Sequence, residues 1–318
     1  MNLLVTGGAG FIGRWVVKQL LDEGHRVWVY DDLSNGRFIN IEEFTTNPQF
    51  MGFIQGDIKD EQQLDRLFSS IQFDICYHLA ASINVQDSID DPKTTFMNDT
   101  VGTFHILERC LQDRVKVAFM STCMVYDRAH SEDGIKETDP VKPASPYAGA
   151  KIAAENMVLS YYHAYGLPIV VLRPFNTYGP FQKTGGEGGV VAIFIHNYLA
   201  GKPLQIYGDG TQTRDLLYVE DCARFVVASG FSDRVDGKII NAGLGKDVTI
   251  NELATTIVKD ETQIEHIEHI HPQSEIQKLT CNYDLAKLLL GWEPLVSLQE
   301  GIKRTEDWIR STTELGEG

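Results

Sequence analysis

The stretch "VTGGAGFIG", Val5 to Gly13, decides the fold. A short apolar run, "NLLVTG", leads into it. "FIGRWVVKQLLDEG" follows with apolar residues at helical spacing and stops at Gly24, in the position of a helix C-cap. Gly7, Gly10 and Gly13 therefore stand where a strand turns into a helix. A phosphate at that helix start meets free backbone N–H groups and the positive end of the dipole, and glycines let the backbone come close. Strand, glycines and helix in this order read as a dinucleotide site, with Phe11 and Ile12 in the first helical turn beside it.

The next strand, "VWVYDD", ends in Asp31 and Asp32, about twenty residues beyond the glycines, where a carboxylate accepts hydrogen bonds from a ribose. A 2′-phosphate would face two negative charges there, so NAD is expected over NADP unless Arg37 folds back. "GDIKD" places Asp57 and Ile58 at the end of a third strand, and "HLAA" places Leu79, Ala80 and Ala81 at the end of a fourth. Small residues there suit a cofactor passing close to backbone, or simple tight packing. Further strands, "VKVAFMST" and "PIVVLRPFN", alternate with helical patterns such as "VGTFHILERCLQD". This alternation predicts an α/β fold, a doubly wound parallel Rossmann sheet over residues 1–175, with later segments at about 215–245 returning to it. Residues 176–318 are expected to form mainly a smaller mixed α/β substrate-binding lobe.

The chain has 318 residues, 43% hydrophobic and 23% charged, with a formal net charge of -16. Such a balance describes a globular protein and speaks against nucleic acid as a partner, since phosphate neutralisation needs a basic surface. No apolar run is long enough to span a bilayer, and "MNLLVTGGAGFIG" has no basic start, so no membrane partner and a cytoplasmic location are expected. Five cysteines without a CxxC pair argue against a disulfide framework or a zinc site, and the histidines of "EHIEHIH" lack ligand spacing.

"PYAGAK" puts Tyr147 and Lys151 one helical turn apart on the same face. A tyrosine acting as a base near neutrality needs its proton affinity lowered by ~4 kcal/mol. One ammonium close by is expected to supply about that much, and a nicotinamide cation would add to it.

The chain resembles the extended short-chain dehydrogenase/reductase family, the NAD-dependent sugar-nucleotide epimerases and dehydratases. The likeness rests on "TGGAGFIG", "YDDLSNGR", "GDIKD", "HLAA", "STCMVYD", "PYAGAK", "RPFNTYGP", "GDGTQTRDLLYVEDC" and "LLGWEP". It implies that Thr122 binds the sugar's C4 oxygen, Tyr147 removes its proton, Lys151 holds the nicotinamide ribose and Asn98 joins the cofactor contacts. It also implies a UDP-sugar substrate, with Asn176 on the pyrophosphate, the loop to Val190 over the base and Arg214 on a phosphate. The alternative for Arg214 is an ion pair with Asp215. His271 and Gln273 stand where relatives often have a basic residue. A homodimer built on two helices is the family's habit.

In the dehydratases an Asp and a Glu follow the threonine; here Cys123 and Met124 do. Met124 carries no proton, whereas a thiol can. Read locally, the change favours a 4-epimerase. The wider wording, "MSTCMVYD" and "RPFNTYGPFQKTGGEGGVVAIF" above all, resembles bacterial UDP-N-acetylglucosamine 4,6-dehydratases of the legionaminic acid type. That resemblance implies C4 oxidation, loss of water across C5 and C6 and hydride return to C6. Cys123 then either shares in proton transfer near C5 or C6, helped by Tyr147 or Glu187, or is a passive buried thiol. A non-catalytic NAD-binding sensor or scaffold is the third reading.

Overall fold

In the computed structural model, which describes residues 1–185, 189–258, 261–269, 272 and 275–314, the chain starts in the middle of a seven-stranded sheet. Strand β1 (Asn2–Thr6) pairs with β2 (Arg26–Asp31) on one side and β4 (Ile75–His78) on the other; β3 (Phe50–Gln55) lies beyond β2. Past β4 come β5 (Lys116–Met120), β6 (Ile169–Pro174) and, at the far edge, β10 (Lys238–Ala242), every pair parallel. Strand order thus reverses between β1 and β4. Crevices at the carboxyl ends of strands beside such a reversal are where open α/β sheets bind ligands.

Alternation along β1 shows why both faces are covered. Leu3 and Val5 join a core with helices α1 (Phe11–Asp22) and α8 (Val219–Phe231). Leu4 joins a second core on the opposite face, with α2 (Glu61–Ser70), α5 (Thr103–Asp113) and α6 (Pro146–Tyr165). Side chains that point alternately up and down, all buried, require two helical layers. Residues 284–292 also return to the sheet: Ala286 on α10 (Asp284–Leu290) and Trp292 pack into the first core.

Two short helices, α3 (Val85–Asp90) and α4 (Pro92–Phe96), precede α5, and a π-helical turn at Met97–Gly102 joins α4 to it. The helix read in the sequence from Val101 thus begins inside that turn.

A separate core serves the smaller lobe, with Phe194, Leu204, Leu216, Leu253 and Ile302 among its members. It draws on β7 (Asn176–Tyr178), α7 (Val190–Leu199), β8 (Leu204–Tyr207) and β9 (Thr213–Tyr218). It is completed by β11 (Asp247–Thr249), α9 (Ile250–Ile257), β12 (Ile264–Ile267) and α11 (Leu298–Glu314). Among the described residues no helix is long and apolar enough to cross a membrane.

Candidate active site

The glycine turn, Asp31, Asp32, Thr122, Tyr147 and Lys151 all open onto one cavity of ≈ 920 Å³. At one end Gly7 holds φ +70, and a Cβ there would sit 2.7 Å from the Ala80 nitrogen; a Cβ on Gly13 would strike the Gly7 carbonyl. Gly10 begins α1 in extended geometry with no side-chain cap, and no acid stands in the first turn. The free N–H groups and the dipole therefore remain available to an anion. Asp31 braces this loop, accepting from Ala9 N at 3.0 Å and Leu33 N at 2.9 Å, while Asp32 accepts from the backbone and hydroxyl of Ser34. Phe11, Ile12, Ile58, Leu79, Ala80, Ala81 and Asn98 line the same end, as does Arg37. Asp57 does not: its carboxylate accepts from Lys59 N at 2.8 Å and pairs with the Lys59 ammonium at 3.0 Å. A cradle that side chains would fill, an uncapped helix start and two carboxylates at the second strand's end fit NAD.

At the end of β5 the chain leaves the sheet through a short 3-10 turn, Cys123–Val125, which Thr122 caps by accepting from Met124 N at 3.2 Å. Helix α6 faces it. Ser145 caps α6 through Ala148 N, and Pro146 occupies its first turn, so Tyr147 and Lys151 enter on the inward face. The Thr122 side chain faces the Tyr147 phenol across the cavity. A buried network fixes this register: Glu155, one turn past Lys151, accepts from Arg173 Nε on β6 at 2.9 Å and from the Ser121 hydroxyl.

Here one expectation is corrected. Burial pushes the Tyr147 phenol above its ordinary value, the Asp99 carboxylate pushes it the same way, and the nearby Thr122 side chain opposes them. Lys151 lies 4.8 Å from the Phe119 ring centroid, and its amine is lowered by burial while Asp99 and Glu155 raise it. The ammonium's field is thus balanced by carboxylates around it and does not by itself make Tyr147 a base. Were Tyr147 to act as a base, a cation bound beside the phenol would have to supply the remainder.

Cys123 and Met124 line the cavity as well. Burial pushes the Cys123 thiol up to about 12, against the pull of Arg214, so it is neutral and can give a proton more readily than take one. Asp127 lies off the cavity, accepting from Arg128 N at 2.8 Å, with Lys142 at 3.6 Å.

At the far end, Asn176 lines the cavity with its Oδ1 buried and without a hydrogen-bond partner. Arg214 lines it too, donating to the carbonyls of Thr213 at 2.7 Å and Ile276 at 2.9 Å and pairing with Glu275, which also holds His269 at 2.8 Å. The alternative pairing with Asp215 does not form, because that carboxylate takes the backbone N–H groups of Leu244, Gly245 and Cys281. Val190 begins α7, packs against the lobe core and does not line the cavity. Glu187, His271 and Gln273 lie outside the described residues.

Unforeseen from sequence were Phe181, His196, Trp308 and Thr312, which also face the cavity. Phe181 adopts φ +71, rare for a bulky side chain. Its ring stacks 3.7 Å from the Arg14 guanidinium of α1 and 5.0 Å, centroid to centroid, from Trp308 of α11. Nothing in the local pattern announces such a contact, because its partners come from opposite ends of the chain.

A model of the NAD dependent epimerase/dehydratase family matches residues 3–243. A UDP-glucose 4-epimerase from Mycolicibacterium smegmatis is 36% identical over 99% of this chain and 100% of its own. Among solved structures, Pal from Bacillus thuringiensis superposes with TM-score 0.97 at 66% identity, covering 98% of this chain and 99% of that one. A dTDP-glucose 4,6-dehydratase from Bacillus anthracis, solved with NAD, gives 0.89 at 28% identity, covering 99% and 98%.

Proposed function

Because the chain belongs to the NAD dependent epimerase/dehydratase family, we propose that it is a 4,6-dehydratase acting on UDP-N-acetylglucosamine and forming a 4-keto-6-deoxy sugar nucleotide. The observation that carries this reading is one continuous cavity that runs from the uncapped helix start past Thr122 and Tyr147 to Asn176 and Arg214. Its cofactor end fits NAD, which when bound accepts a hydride from the sugar and returns it. Thr122 would orient the C4 oxygen, Tyr147 would take its proton and later deliver it to C5 as hydride reaches C6, leaving C4 a ketone, and Lys151 would hold the nicotinamide ribose. Asn176 and Arg214 would grip the pyrophosphate, Arg214 leaving Glu275 as phosphate arrives. Cys123, a neutral thiol, would protonate the departing C6 hydroxyl, and the thiolate so formed would take the C5 proton, so that water leaves and the thiol is restored.

A second reading, a 4-epimerase, is favoured by Met124, since among the described lining residues the only carboxylates are Asp31 and Asp32 at the cofactor end. Incubation of the NAD-loaded protein with UDP-N-acetylglucosamine tests both, read by mass spectrometry and proton NMR. A product lighter by one water, with a C6 methyl signal, supports the dehydratase. An isobaric product inverted at C4 establishes the epimerase instead, and no conversion of this or other UDP-hexoses sinks both. A second copy of the chain is expected to cover Phe96, Met97, Phe104 and Met157, which are 37–48% exposed around α4 to α6.

A further inference from the structure

Asp99 is a buried carboxylate that the proposed chemistry leaves unexplained. It is 1% exposed and sits in the π-helical turn between α4 and α5. Oδ1 accepts from Ser82 N at 2.6 Å and from the Asn98 amide at 3.1 Å, but Oδ2 is buried with no hydrogen-bond partner. Burial pushes the Asp99 carboxyl up, against the pull of Lys151 and of the Ser82 and Asn98 bonds, so its ionised form depends on a compensating charge. The turn is tied to α6 beside Lys151, Thr100 donating to the Ala150 carbonyl at 3.0 Å, and from there Asp99 favours the charged form of Lys151 and opposes ionisation of Tyr147. A π turn inserts one extra residue into a helix, which is a way to re-aim a side chain, and such turns gather at functional sites.

We propose that Asp99 is a positioning residue, a fixed counter-charge that keeps Lys151 an ammonium and holds the proton on Tyr147 until a cation binds beside the phenol. The inference rests on the assignment of Tyr147 as the base, and not on which sugar is turned over. Its consequence is that Tyr147 answers to the charge of the bound nicotinamide. When that ring is positive, the phenol can lose its proton; when it is neutral, the Asp99 carboxylate drives the proton back on, as return of hydrogen to a keto sugar demands.

The surrounding charges are consistent with this division of labour. Facing Asp99 are Lys151 and Lys59, the latter held by Asp57 at 3.0 Å and by the Asn98 Oδ1 at 3.1 Å. Facing Lys151 are Asp99, Glu155 and His78; Glu155 is committed to Arg173 and Ser121, and His78 is neutral, with burial lowering it to about 3. Facing Tyr147 are Asp99, Thr122 and Cys123. Asp99 is thus the carboxylate that acts on both members of the Tyr–Lys pair.

The test is Asp99→Asn, which keeps shape and removes charge. Tyrosinate difference absorbance, with Tyr147→Phe as the blank and no sugar present, reads Tyr147 directly in the NAD-bound protein. The midpoint is expected to fall by about one pH unit in the variant, and the acid limb of the turnover profile is expected to move down with it. A midpoint that stays or rises overturns the proposal. If the variant does not fold, carbon NMR of the wild-type Asp99 carboxyl decides: an ionised group at neutral pH is expected, and a protonated one overturns the idea. Absence of sugar turnover in the wild type, with the Tyr147 midpoint still falling in Asp99→Asn, would count against the dehydratase reading and leave this one standing.

Discussion

At Cys123 a neutral thiol, 2% exposed, stands where the resemblance to the dehydratases leads one to expect an acid. If it donates a proton, Cys123→Ala is expected to lower kcat by about a hundredfold with KM little changed. Reduction of bound NAD on mixing with sugar would still occur, since that step would draw on Thr122, Tyr147 and Lys151 and not on the thiol. Stopped-flow absorbance against steady-state product formation separates the two. Equal rates in wild type and variant would make the thiol mere packing. Arg214 poses a different question, because Glu275 already holds it. Arg214→Met is expected to raise KM by roughly ten- to a hundredfold, the worth of a charge-assisted hydrogen bond, while the variant's Tm stays close to that of the wild type. A large loss of Tm with KM unchanged would make Arg214 a brace for the lobe instead.

Among elements, the junctions do the chemical work. His78 ties three of them, bonding Thr6 of β1 at 2.7 Å and Thr103 of α5 at 3.0 Å from its own place on β4. Burial lowers its imidazole from 6.5 to about 3. Within that window the unfolded chain takes up a proton that the folded one refuses. Stability from this group is therefore present above pH 6.5 and is lost as pH falls, at about 1.4 kcal/mol per unit. Urea midpoints across that range are expected to fall less steeply in His78→Gln; identical slopes would refute the assignment. The βα alternation, the glycine turn and the Tyr–Lys spacing could all be read from sequence because each is a local pattern with a fixed period. The π turn at Met97–Gly102 could not, since it depends on how α4 and α5 are packed rather than on which residues they contain. For the same reason Asn98 was legible as a cavity residue and Asp99 was not.

At the scale of the whole molecule, two lobes share one chain that crosses between them more than once. "ARFVVASGF" returns to the sheet as α8, a return visible in its apolar run; residues 284–292 also go back, through a stretch that carries no comparable signal. The same distance in sequence hid Trp308 and Thr312, and with them the wall they add to the cavity. Across that wall Phe181, in a conformation that costs about 1–3 kcal/mol, rivets the loop after β7 to Arg14 and Trp308. Phe181→Ala is expected to let the purified protein shed dinucleotide on desalting, seen as a lower ratio of near-ultraviolet absorbance to protein, whereas the wild type keeps it. If the rivet holds as expected, the oxidant would travel with the protein as a prosthetic group, regenerated in each cycle by the keto intermediate it creates, and turnover would be insulated from the cell's nicotinamide pool.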